Sequence, residues 1–198
     1  VEAGKVYALG ANGHVHCLEA RDGSLVWEKD LRKAYEIPDW VCRASPLIEG
    51  NLLVLFTGAK PGACVLALDK ASGKEIWKSL SEPVSNSSPL AITAGGARQL
   101  IVWTDESVAS LNPASGEVSW REAMTTSNND AIPTPVVQGR RLLIGGLMMA
   151  LDSDRPMATI VWPESRVVSK RILSNTSTGV LLGGHVYSAK SAGELVCL

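Results

Sequence analysis

No stretch of about 18 apolar residues occurs in the chain, so nothing in it reads as a membrane-crossing helix. A surplus of basic residues is also missing. Nineteen Lys and Arg face twenty Asp and Glu, for a net charge of −1 and a pI near 6.4. A surface built to hold a phosphate backbone usually leaves a clear cationic excess, so nucleic acid is not an expected partner. The nucleophile elbow G-x-S-x-G is absent, and no Ser, His and Asp fall in an arrangement suggesting nucleophilic catalysis. No signal peptide stands at Val1, an absence of little weight if the N-terminus is an internal cut. Strongly amphipathic helical stretches are scarce.

What is present is punctuation. Eighteen Gly and ten Pro divide 198 residues into short apolar runs, mostly β-branched and bounded by Gly, Asn, Asp or Ser. That is the pattern of many short strands joined by tight turns. The length suffices for one domain with a substantial core, or for part of a larger one. Its composition, 45% apolar and 20% charged, is ordinary for a soluble globular protein.

The runs repeat. Cys17 to Trp27, Ala67 to Trp77 and Ser110 to Trp120 align without gaps, with a small residue and a Trp ten positions apart. A looser copy runs from Ala150 to Trp162, and a fifth begins at Cys197. Each copy reads as a hairpin whose first strand ends at Leu18, Leu68, Leu111 or Leu151. The acidic or amide residue that follows can bond backbone N–H groups in the turn. Gly23, Gly73 and Gly116 supply positive φ, and the Trp lies on the returning strand.

Two further columns repeat upstream of the hairpins. One is an apolar strand: Val6 to Leu9, Leu52 to Phe56, Leu100 to Thr104, Leu142 to Gly145, and Val186 to Ser188. The other is the start of a preceding strand, at Pro46, Pro89, Pro135 and Gly179, each after a Ser or Thr. Four strands therefore recur in roughly 45 residues, the period of a propeller blade. Three columns in register argue against an ordinary sandwich. The expected fold is an all-β propeller of four-stranded antiparallel blades. It is partial, with blades near 1–33 (incomplete), 44–81, 86–124, 132–166 and 176–198 (incomplete). Eighteen strands are expected, arranged as an open arc that does not close a ring by itself.

At these residues the chain resembles the PQQ-like (quinoprotein-type) repeat family, whose signature is A-x-D-x-x-(S/T)-G-x-x-x-W. The resemblance covers nearly the whole chain and points to the family's non-enzymatic secreted members and its barrel-assembly scaffold lipoprotein. It implies that Trp27, Trp77, Trp120 and Trp162 dock on the neighbouring blade near the turn Gly. Each should then be mostly buried, and truncation to Ala should cost about 3–5 kcal/mol. The fourth copy departs from the signature, because Arg155 and Pro156 stand in its turn and no Gly does. Its hairpin is two residues longer, so the turn is expected to be remodelled. Trp40 and Trp103 lie off the pattern. Trp103 sits inside an apolar strand and is expected in the core.

Sites for chemistry are few. His14 and His16 share one strand face because side chains alternate, but no third ligand stands at an obvious spacing, and His185 falls four blades away. The pair reads as a wet strand face, and no metal site is assigned. Cys17 and Cys197 occupy one repeat column four blades apart and should not meet. The spacing allows Cys42 and Cys64 a disulfide without fixing it. The quinone-dependent dehydrogenases of the family carry a disulfide between adjacent cysteines over the cofactor. This chain has no Cys-Cys pair and no haem-type C-x-x-C-H, so no cofactor and no catalytic residue is expected.

A polar rim remains. The loops before the inner strands carry Trp40 and Arg43, Asn86, Asn128, Asn129 and Asp130, and Asn175. In a propeller such loops gather at one mouth of the channel, where they can bind a protein or a small polar ligand. The alternative is that their Asn and Ser side chains satisfy turn backbone. The expected role is a non-enzymatic binding scaffold, periplasmic or extracellular as the resemblance implies. Part of a quinoprotein dehydrogenase and the extracellular sensor domain of a larger receptor are the alternatives.

Overall fold

A strand covered on both faces must be apolar at every position, because successive side chains point to opposite sides. In the computed structural model, β5 (Leu52–Ala59) and β6 (Ala63–Asp69) approach that condition, broken only by the buried Thr57 and the terminal Asp69. Leu53 and Leu55 face a cluster with Val15, Leu31, Tyr35, Leu66 and Leu68, while Val54 and Phe56, on the other face, are equally buried. β13 (Arg141–Ile144) divides its side chains the same way. Leu142 and Ile144 join one cluster with Ile101, Trp103 and Met149, and Leu143 joins another with Met148, Leu173 and Val186. Blade stacking thus follows from nearly unbroken apolar runs and the two-residue period of a strand.

The structure describes residues 1–38, 43–124, 131–162, 173, 176–190 and 193–198. They fall into two compact units, Val1–Val84 and Ser85–Leu198. The first unit holds a three-stranded sheet of β1 (Lys5–Leu9), β2 (His14–Glu19) and β3 (Leu25–Asp30). A 3-10 turn, η1 (Leu31–Lys33), follows it. Its second sheet runs β4 (Leu47–Glu49), β5, β6, β7 (Glu75–Ser79). The second unit holds three sheets. They are β8 (Leu90–Ala94) to β11 (Val118–Ala123), with β9 (Ala97–Trp103) and β10 (Ser107–Leu111) between; β12 (Val136–Gln138) to β15 (Ala158–Trp162), with β13 and β14 (Leu147–Leu151) between; and β16 (Val180–Leu182), β17 (His185–Ala189), β18 (Leu195–Cys197).

All neighbours in these sheets are antiparallel and consecutive in sequence. The described strands number eighteen, in sheets of three, four, four, four and three, as the columns imply. Among the described residues no helix is long and apolar enough to cross a membrane.

The outer hairpins show what the repeat signature is for. Cys17, Ala67 and Ser110 lie directly across from Trp27, Trp77 and Trp120, and a bulge follows each small residue. A small side chain opposite a Trp leaves room for the indole. The turns close by one recurring backbone bond: Glu19 N–H to Ser24 O, Asp69 N–H to Lys74 O, Asn112 N–H to Glu117 O, and Asp152 N–H to Met157 O. A second bond runs from Gly23, Gly73 and Gly116 back to the column residue. In the fourth blade Pro156 holds that place and has no N–H to give.

The fourth turn therefore keeps its closing bond and loses the inner one. Its two additional residues fall between turn and Trp, which places Met148, rather than Ala150 at the start of the copy, opposite Trp162. A shift of two residues leaves the Trp on the same face of the sheet. Side chains complete the turns. Asp69 Oδ1 accepts from the N–H and hydroxyl of Ser72, at 2.8 and 2.6 Å, and Asn112 and Asp152 accept from N–H groups two residues on. In the first blade Glu19 is instead paired with Lys5, and Asp22 takes over by accepting from Ser24.

Candidate functional site

The loops that precede the inner strands are the place where binding side chains were expected. Arg43 is exposed in the first unit, and Asn86 is half-buried in the second. Trp40, Asn128, Asn129, Asp130 and Asn175 lie outside the described residues, as does Cys42, so the disulfide that the spacing allows it with the buried Cys64 does too.

In the second unit the described parts of these loops are bonded to one another. The Ser85 hydroxyl donates to Trp103 O and accepts from Ser87 N–H at 3.2 Å. Ser87 Oγ donates to Pro133 O at 2.7 Å, Asn86 N–H to Ala131 O at 3.0 Å, and Thr134 N–H to Thr178 Oγ1 at 3.1 Å. Ser85 and Ser87 are 1% exposed and hold loop backbone together. At these two positions the backbone-satisfying reading of the polar rim is the correct one. Of the expected binding side chains, Arg43 is exposed and Asn86 half-buried.

Trp27 fixes its sheet to the next. Trp27 donates its Nε1–H to Lys70 O at 3.1 Å, and its ring lies on Gly73 of the next sheet. A Cβ at Gly73 would come within 2.8 Å of Trp27 Cε3, and φ there is +70°. Glycine is thus required for both room and conformation. Trp120 solves the same problem differently. Its Nε1–H goes to Gln99 Oε1 at 2.9 Å within its own sheet, and Ser110 Oγ donates to the same oxygen at 2.8 Å. Gln99 Nε2 in turn donates to Ala94 O. Trp77 and Trp120 are buried, and Trp27 and Trp162 partly so. Trp103, expected in the core, is 1% exposed and packs on Gly145, where a Cβ would lie 2.1 Å from its ring.

Among the described residues, the displaced pKa values have local causes. Burial, the hydrogen bond to Glu75 and that carboxylate's charge push the Tyr35 phenol up to about 12. The Ser72 hydroxyl and N–H hold Asp69 below the usual carboxylate range, and Ser24 does the same for Asp22. Burial raises the thiol of Cys17. No nucleophile, base and orienting group meet in these assignments. Among the described residues, no three His, Cys, Asp or Glu side chains are gathered closely enough to hold a metal ion as they stand. A shallow surface depression is lined by His14, His16, Glu28, Lys29, Asp30 and Lys33.

Five antiparallel sheets with a recurring outer hairpin define the repeat, and comparison with known proteins identifies it. The family model for outer membrane protein assembly factor BamB (PQQ_2) matches residues 1–198. The chain belongs to this family. The BamB of Burkholderia pseudomallei (strain K96243) is 26% identical over 208 residues, covering 97% of this chain and 49% of that protein. The crystal structure of BamB from Moraxella catarrhalis superposes with a TM-score of 0.69 at 19% identity, over 100% of this chain and 58% of that one.

The quinohemoprotein alcohol dehydrogenase of Comamonas testosteroni superposes with a TM-score of 0.62 at 14% identity, covering 98% of this chain and 40% of that one. At such identity the likeness is one of fold alone. The chain spans about half the length of the curated BamB it matches. The chain has no adjacent cysteines.

Proposed function

We propose that this chain is part of a non-enzymatic, periplasmic propeller that serves outer membrane protein assembly as a protein-binding scaffold. The observation that carries the reading is the match of residues 1–198 to the BamB family model. The loops before the inner strands are the proposed contact positions, with Arg43 in the first unit and Asn86 in the second, each taken by itself, described, and Trp40, Asn128, Asn129, Asp130 and Asn175 the others. The chemistry supports it. A guanidinium and amides recognise carbonyls and carboxylates of a protein partner, and an exposed Arg is a frequent interface anchor.

The test is site-specific photo-crosslinking in living bacteria, with the crosslinker placed at position 43 or 86 of the full-length protein. Adducts with components of outer membrane assembly are expected from these positions and not from Lys74, on a hairpin turn. Adducts from position 74 alone, or none from 43 and 86, would remove the loop surface. Oxidation of alcohols by the PQQ- and Ca²⁺-loaded protein in a dye-linked assay would overturn the non-enzymatic part.

A further inference from the structure

His14 and His16 were left without a third ligand by sequence spacing, because the missing groups come from the neighbouring strand. In β2, Val15 points into the core at 0% exposure, so the flanking imidazoles both face solvent. The register pairs His14 with Asp30 and His16 with Glu28 on β3, which puts two carboxylates on that same face. His14 Nε2 lies 3.8 Å from Asp30 Oδ1, and His16 Nε2 lies 3.6 Å from Glu28 Oε2.

Both gaps are too long for hydrogen bonds. They are close to the edge of a tetrahedron around zinc, where two ligands at about 2.1 Å lie about 3.4 Å apart. Imidazoles two residues apart on a strand start about 6.6 Å from each other. Because no three of these groups are gathered as they stand, the exposed side chains would have to rotate to bring both ring nitrogens to one ion. One carboxylate is already oriented: Asp30 Oδ1 accepts the N–H of Arg32 at 3.0 Å, capping η1. An ordered carboxylate is what a metal site gains from its surroundings. Lys29 directs its ammonium to Gly73 O on the next sheet, at 3.3 Å, which leaves Lys33 as the opposing cation beside the face.

We propose that this face binds one divalent transition-metal ion of borderline softness, Zn²⁺ or Cu²⁺, through His14, His16 and a carboxylate of the opposite strand. Nitrogen and oxygen donors of this kind favour those ions over Mg²⁺ or Ca²⁺. The ion clips β2 to β3, assembling its ligands as it binds. The site is independent of the proposed scaffold role.

The test is calorimetric titration of chelator-treated protein with ZnCl₂, together with NMR of the imidazole resonances. One ion per chain is expected, with micromolar affinity and with His14 and His16 shifting at the same stoichiometry. His14→Ala and His16→Ala should each weaken binding by at least ~10-fold. Glu28→Gln should weaken it less, and His185→Ala should leave it unchanged. These exposed side chains support no core, so far-UV circular dichroism should be unaltered. Absence of saturable binding, full affinity in either single His14 or His16 variant, or loss confined to His185→Ala would each overturn the proposal.

Discussion

Single residues carry more of this molecule than its turns suggest, and Tyr35 shows how. It follows η1, is 9% exposed, and donates its hydroxyl to Glu75 Oε2 at 2.5 Å across to β7. The ammonium of Lys78 stands 5.2 Å from its ring centre. An acid whose folded pKa is raised holds its proton more tightly in the folded state. Between the unfolded value near 10 and the folded value of about 12, the native chain binds more protons than the unfolded one. Stability from this contact is therefore complete below pH 10 and is lost as pH rises toward 12. Phenolate absorbance near 295 nm should show a step at about pH 12, and Tyr35→Phe should abolish that step. A Tyr35→Phe protein that keeps the late phenolate step would assign it to Tyr7 or Tyr187, both of which are also raised.

At the scale of elements, the sequence announces strands and turns and says little about who satisfies whom. The hairpin columns, the turn glycines and the count of strands were readable, because a blade strand buried on both faces writes itself as a nearly unbroken apolar run. Trp103 could be placed in the core for the same reason. The partner of Trp120 could not be read: Gln99 looks like any polar residue on β9, yet it is 1% exposed and accepts from both Trp120 and Ser110. Nor could the carboxylates opposite His14 and His16, since that pairing depends on a bulge between Cys17 and Leu18 that sets the β2–β3 register. The pairing of Trp162 with Met148 was hidden likewise, because no residue count reveals where the strand absorbs two extra positions. Gln99→Met retains volume and removes both acceptor and donor. The indole N–H of Trp120, the hydroxyl of Ser110 and the carbonyl of Ala94 then lose a bond each. A loss of about 1–3 kcal/mol is expected for each buried group left unpaired. Urea unfolding should therefore show a destabilisation well above that of Gln138→Met, an exposed control on β12. Equal midpoints for the two variants would show that the Gln99 network contributes nothing.

For the whole molecule the governing quantities are net charge and where apolar surface remains in contact with water. The chain carries a charge of −1 with a pI near 6.4, so near that pH little electrostatic repulsion keeps copies apart. Exposed apolar side chains are concentrated on the sheet of β16–β18, where Leu182 is 62% and Leu195 81% exposed and Val180 and Tyr187 are also uncovered. On a sheet whose edges have free backbone groups, such residues favour association between copies. The 198-residue chain is therefore expected to self-associate most strongly near pH 6.4 and less at pH 8.5, where its charge is more negative. Light scattering at fixed concentration measures this directly. Leu182→Lys combined with Leu195→Glu places opposite charges on that sheet, leaves the net charge unaltered and removes the apolar surface. If the sheet is the contact, the double variant should scatter less at every pH while retaining its far-UV spectrum. If net charge alone governs association, the variant and the parent chain should scatter alike, and the apolar sheet would have no part in it.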